Sequence, residues 1–186
     1  MGVIGVLVSG EGTNLQALVD DGLPISAVAS NKAGVQALRR AKAAGIPTAV
    51  FLLEDYPDRE ARDAQMAGWL DRHGVELVVC AGYMHLLRPA FLERFHGRVL
   101  NTHSALLPAF PGPRPVEDAL AHGVKVTGAT VHLVDEGIDS GPIVLQEAVQ
   151  VEDDDDVETL RRRIQEVEHR LLPQATRLLL AARVEV

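Results

Sequence analysis

Short apolar runs alternate with amphipathic helical segments through the first half of the chain, and this alternation limits the fold more than any other feature. The apolar runs predict strands at Val3–Val8, Ile25–Val28, Thr48–Leu52, Val75–Cys80 and Val99–Asn101, and the segments between them predict helices at Asn14–Val19, Val35–Ala44 and Asp58–His73. Strands that alternate with helices favour an α/β fold, with a doubly wound, mostly parallel twisted sheet and helices on both faces.

The second half of the chain changes character at a proline-rich loop. Prolines at positions 108, 111, 113 and 115 prevent a helix from running through it. Beyond the loop, the pattern predicts strands at Val124–Val134 and Pro142–Val151, then a helix from about Asp156 to Leu180 that Pro173 is expected to kink. The sequence contains no linker or repeat, so we expect residues 1–186 to form a single domain.

Three candidate site segments lie at the ends of predicted strands. They are Ser9–Asn14 after the first strand, Ala81–Leu87 after the fourth and Asn101–His103 after the fifth. Ligands of doubly wound sheets bind outside the carboxyl ends of the strands. We therefore expect all three segments to contribute to one site.

The glycine-rich segment Ser9–Asn14 lies between a strand and a helix. Its backbone amides and the helix N-terminus suit a phosphate group, although a tight turn without a ligand would have the same composition. Leu15 stands where a dinucleotide fingerprint needs glycine or alanine, and no Gly-Lys-Ser/Thr follows. The segment is therefore neither a dinucleotide fingerprint nor a Walker loop.

Asn101, His103 and Asp139 have the chemistry of a reaction centre for acyl transfer. An amide and a protonated imidazole can stabilise a developing oxyanion, and a carboxylate favours the charged imidazole and can move protons. Asn101 and His103 are two residues apart, so their side chains share a face if they end a strand. Separately, His103 could be a core histidine and Asp139 could cap a turn.

Two further features stay open from the residues alone. His132 lies in an alternating segment and either points into the site or packs in the sheet. Residues 82–87 either begin a helix or form a loop whose backbone meets a flat heterocycle. Cys80 ends an apolar run and is expected to be a buried strand residue.

Composition disfavours several classes of partner. The net charge is −8, and the run Arg161–Arg163 lies among acidic residues, which favours a solvated helix face over a nucleic-acid patch. No segment approaches the ~20 apolar residues of a membrane span, and no His or Cys spacing is typical of a metal site. We expect a cytoplasmic protein that binds small molecules, without a metal, a nucleic acid or a membrane, as a monomer or a homodimer.

Taken together, these motifs resemble the phosphoribosylglycinamide formyltransferase family over nearly the whole chain. The resemblance is carried by residues 8–16, 30–32, 81–84, 101–112, 127–132, 135–143 and 165–169. It implies a formyltransferase-like variant of the Rossmann fold, with a nucleotide-binding N-terminal half and a folate-binding C-terminal half. It also implies metal-independent transfer of a formyl group from 10-formyltetrahydrofolate, as co-substrate, to the amino group of 5-phosphoribosylglycinamide in de novo purine biosynthesis.

By matching position, the resemblance implies three sets of site residues. The catalytic set would be Asn101, His103 and Asp139. The set that binds phosphoribosylglycinamide would be Gly12, Thr13, Asn14, Gln165 and Glu168. The set that binds folate would be Arg59, Met84, His85, Leu86, Leu87, Asn101, Asp135, Glu136, Gly137 and Ile138.

The chain departs from the family pattern at positions near these sets. His85 stands where many relatives carry arginine, Ser104-Ala105 where they usually read proline-serine, and Pro113-Arg114-Pro115-Val116 where they often show histidines. None of these departures replaces a residue of the catalytic set.

Four other classes of protein compete with this interpretation. Formyltetrahydrofolate hydrolase normally carries an additional N-terminal domain, and methionyl-tRNA formyltransferase an additional C-terminal RNA-binding domain and a more basic surface. A non-catalytic folate or nucleotide binder would not need Asn101, His103 and Asp139 together. A Rossmann dehydrogenase is disfavoured by Leu15.

Overall fold

The computed structural model describes residues 3–182, which contain seven strands and six α-helices. The strands are β1 (Val3–Val8), β2 (Ile25–Ser30), β3 (Thr48–Val50), β4 (Val75–Cys80), β5 (Val99–His103), β6 (Val126–Leu133) and β7 (Ile143–Gln150). The helices are α1 (Thr13–Asp20), α2 (Gln36–Ala43), α3 (Arg59–Arg72), α4 (Pro89–Arg94), α5 (Pro115–His122) and α6 (Val157–Ala181). The predicted domain also includes residues 1, 2 and 183–186, which lie outside the described residues.

The strands form one sheet in the order β3-β2-β1-β4-β5-β6-β7. Strands β1 to β5 pair in parallel, whereas β6 pairs antiparallel with both β5 and β7. The α/β class and the mostly parallel sheet predicted from the sequence are confirmed.

Helices cover both faces of the sheet and create two apolar cores. Ile4, Val6 and Val8 of β1 pack on the face covered by α1, α2, α5 and α6, whereas Leu7 packs on the face covered by α3 and α4. Successive strand side chains point to opposite faces. A strand buried on both faces therefore needs the continuous apolar run seen in β1.

Several strand boundaries differ from the prediction by one or two residues, those of β5 and β3 among them. β5 continues to His103 rather than ending at Asn101, because β6 pairs with it through Asn101↔His132 and His103↔Thr130. β3 ends at Val50 rather than Leu52 and is followed by a 3₁₀ turn at Leu53–Asp55. The longer β5 matters for the site, because pairing with β6 fixes the backbone of Asn101 and His103.

The sequence prediction missed helices α4 and α5. Each begins with proline, at Pro89 and Pro115. Proline is favourable at the first helical position, where its missing N–H would have no intrahelical partner. The prediction treated Pro115 only as a helix breaker and therefore overlooked α5.

Helix α6, by contrast, is continuous from Val157 to Ala181 with Pro173 inside it. Its N-terminus is fixed by a capping box between Asp156 and Thr159. The predicted N-cap of α3 is confirmed, since the side chain of Asp58 accepts the N–H of Ala61 at 2.8 Å.

Candidate active site

A cavity of about 430 Å³ opens where β4 ends and runs along β5 and β6. Its walls are Cys80, Gly82–Leu87, Asn101–Ser104, Gly112, Pro113, Pro115, His132 and Val134–Asp139. The segments after β4 and within β5 therefore meet at one edge, as the sequence predicted. The three residues of the predicted catalytic set lie together on this wall, although Asp139 comes from a distant loop.

His103 and Asp139 face each other inside the cavity. Nδ1 of His103 lies 3.4 Å from Oδ2 of Asp139, and the two side chains are 7% and 15% exposed. Nε2 of His103 donates to the backbone carbonyl of Phe110 at 2.8 Å. Both ring nitrogens thus face oxygen acceptors, an arrangement that a doubly protonated imidazole satisfies.

His132 points into the site rather than only into the sheet. Its Nδ1 donates to the carbonyl of Leu133 at 2.9 Å, while Nε2 lies 3.2 Å from Nδ2 of Asn101 and 3.5 Å from Oδ1 of Asp139. In the neutral ring Nε2 accepts from Asn101, and in the protonated ring it donates to Asp139. His132 therefore connects the amide of Asn101 to the carboxylate of Asp139.

The loop that carries Asp139 is shaped by its backbone. Asp139 has a φ of 50°, in the left-handed region that aspartate tolerates better than most residues. A Cβ at Gly141 would lie 1.9 Å from the carbonyl oxygen of Leu133, so only glycine lets the loop return against β6. This geometry directs the Asp139 carboxylate into the cavity.

Asp139 is held in its ionised form. Burial raises its pKa. Hydrogen bonds from His132 and from the N–H of Gly112, at 2.9 Å, together with the charges of His103 and His132, lower the pKa by more than burial raises it. The net effect places the pKa of Asp139 below its ordinary value. The carboxylate is therefore available as a base near neutral pH.

A second polar cluster joins the glycine-rich loop to the end of β5. The buried carboxylate of Glu168 accepts the hydroxyl of Ser104 at 2.6 Å and the amide of Asn14 at 3.2 Å. Oδ1 of Asn14 is buried without a hydrogen-bond partner in the described structure. Glu168 thereby links α1 to the end of β5, and Asn14 offers an unpaired acceptor.

The glycine-rich loop has the geometry of an anion site. Gly12 precedes α1 with a φ of 74°, and within the described residues no side chain caps this helix. A Cβ at Gly12 would lie 2.6 Å from Cα of Ala37, so glycine permits the close approach of α2. Free first-turn amides and the helix dipole favour a negatively charged ligand.

The binding residues from the sequence fall into two groups. Met84, His85, Leu86, Leu87 and Asp135–Ile138 line the cavity, whereas Gly12, Thr13, Asn14, Arg59, Gln165 and Glu168 do not. The segment 82–87 is a loop, which decides between the two alternatives that the sequence left open. Met84, Leu86 and Ile138 are 70%, 52% and 56% exposed and form an apolar rim.

Hydrogen bonds of Ser9 connect the glycine-rich loop to the loop that follows β4. Ser9 donates to Asn31 at 2.6 Å and accepts the backbone N–H of Met84 at 2.9 Å.

Cys80 also lines the cavity, but burial raises the pKa of its thiol to about 12. A thiol that stays protonated is a poor nucleophile, so Cys80 is a structural residue.

Sequence reasoning missed Ser104 and Gly112 and left His132 undecided. The antiparallel pairing of β5 with β6, which sets Asn101 opposite His132, is the signal that would have placed His132. No local pattern links Ser104 to Glu168 or Gly112 to Asp139, because both contacts join distant segments.

Two features are absent from the part of the chain that the structure describes. Among residues 3–182, no three His, Cys, Asp or Glu side chains are arranged to hold a metal ion. No helix in the same range combines the length and apolar character needed to cross a bilayer.

Comparison with known proteins identifies the family. Residues 3–176 match the formyl transferase family model. Phosphoribosylglycinamide formyltransferase of Mycobacterium tuberculosis is 50% identical over 177 residues, which cover 91% of this chain and 81% of that protein. The human trifunctional purine biosynthetic protein adenosine-3 is 41% identical over 189 residues, which cover 98% of this chain and 19% of that protein.

The structural comparison agrees. The crystal structure of glycinamide ribonucleotide transformylase 1 from Symbiobacterium toebii superimposes with a TM-score of 0.96 at 49% identity, covering 98% of this chain and 89% of that chain. The chain therefore belongs to the formyl transferase family, in the group of phosphoribosylglycinamide formyltransferases.

Proposed function

We propose that this chain transfers a formyl group from 10-formyltetrahydrofolate to the amino group of 5-phosphoribosylglycinamide, in de novo purine biosynthesis. The observation that carries the proposal is the convergence of Asn101, His103 and Asp139 on one cavity. The names of relatives at 41–50% identity support the choice of substrates. Residues 1–186 would act as one domain, without a metal, a nucleic acid or a membrane.

The reaction begins when the amino group of the nucleotide attacks the formyl carbon, which places a negative charge on the formyl oxygen. Asn101 has amide N–H groups for that oxygen, one of which remains free when the other meets His132. Nδ1 of His103 lies 3.4 Å from Asp139, longer than the 2.7–2.9 Å of a charge-assisted hydrogen bond. Its N–H is therefore available to the oxyanion.

Asp139 receives the proton that the attacking amine releases, directly or through a water molecule. Its lowered pKa keeps it unprotonated before the reaction. The same carboxylate lies 3.4 Å from Nδ1 of His103 and can orient the imidazole ring. Collapse of the intermediate then expels tetrahydrofolate, which takes up a proton at N10, and leaves the formylated nucleotide.

The nucleotide would bind on the side of the glycine-rich loop. Its phosphate would meet the amides of Gly12, Thr13 and Asn14, and Glu168 with Gln165 would accept its hydroxyl or amide hydrogens. Nδ2 of Asn14 already donates to Glu168 and its Oδ1 would repel phosphate. The backbone N–H of Asn14, rather than its side chain, is therefore the phosphate contact.

The folate would occupy the 430 Å³ cavity. The apolar rim of Met84, Leu86 and Ile138 suits a flat heterocycle, and Asp135 and Glu136 lie on the same wall. Arg59, at the start of α3 and outside the lining, would contact the anionic end of the donor. Met84–Leu87 would meet the pterin through backbone groups.

The test is the absorbance change when the protein is mixed with 10-formyltetrahydrofolate, with and without phosphoribosylglycinamide. We expect turnover only with the nucleotide. Turnover without it would identify a hydrolase that uses the same three residues to activate water, and no turnover in either case would identify a binding protein. The cluster of Ser104, Glu168 and Asn14 favours the transferase, because it connects the reaction centre to an acceptor site.

A further inference from the structure

Arg62 and Asp63 form a buried ion pair beneath one wall of the cavity. Arg62 is 0% exposed, and its Nε and Nη2 donate to Oδ1 of Asp63 at 2.9 and 2.7 Å. The second oxygen of Asp63 accepts the backbone N–H of Arg88 at 2.9 Å. A buried guanidinium needs such partners, so its position is fixed.

Arg62 also reaches His85, which lines the cavity. Its Nη1 lies 2.7 Å from Nδ1 of the imidazole. A guanidinium can only donate hydrogen bonds, so Nδ1 must accept and cannot carry a proton. The ring proton of His85 therefore lies on Nε2, which has no hydrogen-bond partner among the described residues.

The surroundings of His85 favour the neutral ring. Burial lowers its pKa, and the charges of Arg62, Arg59 and Lys32 lower it further, while Asp63 opposes them. Tyr83 meets the ring edge-on, with 6.1 Å between ring centroids. Three cations and one anion thus surround the imidazole, and the balance disfavours a fourth positive charge.

We propose that His85 is a specificity-determining residue on the donor side of the cavity. Arg62 holds it as the tautomer whose Nε2–H donates a hydrogen bond to an oxygen or nitrogen acceptor of the formyl donor. The inference rests on the proposed function and extends it. A neutral N–H selects a ligand by the position of its acceptor atom, whereas a cation at this position would select by charge.

The tautomer can be measured without any activity, by ¹⁵N NMR of the imidazole nitrogens in the unliganded protein. The signal is assigned by its loss in His85→Gln. We expect a protonated Nε2 and an unprotonated Nδ1 at about pH 7, just above the ordinary histidine pKa. A proton on Nδ1, or a doubly protonated ring at about pH 7, would overturn the proposal.

The second measurement is the KM for 10-formyltetrahydrofolate in two variants. His85→Leu removes the donor and should raise this KM about three- to tenfold, the range of one neutral hydrogen bond. Glutamine can both accept from Arg62 and donate an N–H, so His85→Gln should stay within about twofold of the unsubstituted protein. The KM for phosphoribosylglycinamide should stay unchanged in both variants.

The matched control is His96→Leu, because His96 is exposed and outside the cavity lining. Equal donor KM in His85→Leu and His96→Leu would refute the specificity role. If the unsubstituted protein transfers no formyl group, the proposed function fails, while the NMR measurement still decides the tautomer.

Discussion

The imidazole of His103 and the carboxylate of Asp139 face each other across 3.4 Å, although they lie on different segments of the chain. One side chain ends β5, and the other comes from the loop between β6 and β7. The sheet fixes His103 through its pairing with β6, and backbone contacts fix Asp139 through Gly112. Two independent sets of backbone contacts therefore hold the imidazole and the carboxylate next to each other.

The first prediction concerns this pair. Asp139→Asn keeps the shape of the side chain but removes the base and the negative charge beside His103. We expect kcat to fall about 10²–10³-fold, with a much smaller change in folate binding. Steady-state rates and a direct binding titration with tetrahydrofolate measure the two quantities. Asp154→Asn, an exposed carboxylate outside the cavity, is the matched control. Unchanged kcat in Asp139→Asn would remove this residue from the chemistry.

Ser104 gives the second prediction. Its hydroxyl donates to Glu168, whose other oxygen accepts from Asn14. Ser104→Ala removes a hydrogen bond to a carboxylate and should raise the KM for phosphoribosylglycinamide about three- to tenfold, without raising that for folate. Ser104→Thr keeps the hydroxyl and should restore the lower KM. Ser26→Ala, on β2, is the control. An effect of equal size on both KM values would indicate a general structural role instead.

The order of strands and helices could be predicted because it depends on local patterns. Continuous apolar runs such as Val3–Val8 are what a strand buried on both faces requires. Helix α5 was missed because Pro115, its first residue, was interpreted as a helix breaker, and the short helix α4, which also begins with a proline, was not predicted. The end of β5 was also misplaced, since polar residues Thr102 and His103 carry no apolar signal and extend the strand only by pairing with β6.

Part of the candidate site could also be predicted from the sequence, because that part depends on a local pattern. Asn101 and His103 share a short motif, so their common face could be derived from strand geometry. The positions of His132 and Ser104 depend on which distant segments meet, and no spacing within the chain encodes that. The proton location on His85 depends on Arg62, a buried residue whose contact appears only in three dimensions.

A third prediction concerns stability in acid. The pKa of Asp139 is lowered in the folded protein, so its ionisation stabilises the fold above its ordinary pKa, and this contribution disappears as the pH falls through the folded pKa. We therefore expect the unfolding free energies of the unsubstituted protein and Asp139→Asn to differ most near pH 7 and to converge as the pH falls through the lowered pKa of Asp139. Urea unfolding at several pH values measures this. A constant difference at all pH values would show that the ionised carboxylate does not stabilise the fold.

The fourth prediction concerns two unfavourable effects of adding a side chain at Gly12, backbone strain and a clash with Ala37. A Cβ there would lie 2.6 Å from both Cα and Cβ of Ala37, and the φ of 74° is itself unfavourable for other residues. Gly12→Ala should therefore lower the unfolding free energy by roughly 2–5 kcal/mol, from backbone strain plus overpacking, and should raise the KM for the nucleotide by displacing the amides of α1. Gly22 has a similar φ of 70° with nothing within 4 Å of a Cβ, so Gly22→Ala should show only the backbone cost of about 1–2 kcal/mol. Urea unfolding of both variants tests the difference. Equal losses would mean that α2 yields to the added methyl group, and a normal nucleotide KM in Gly12→Ala would place the phosphate elsewhere.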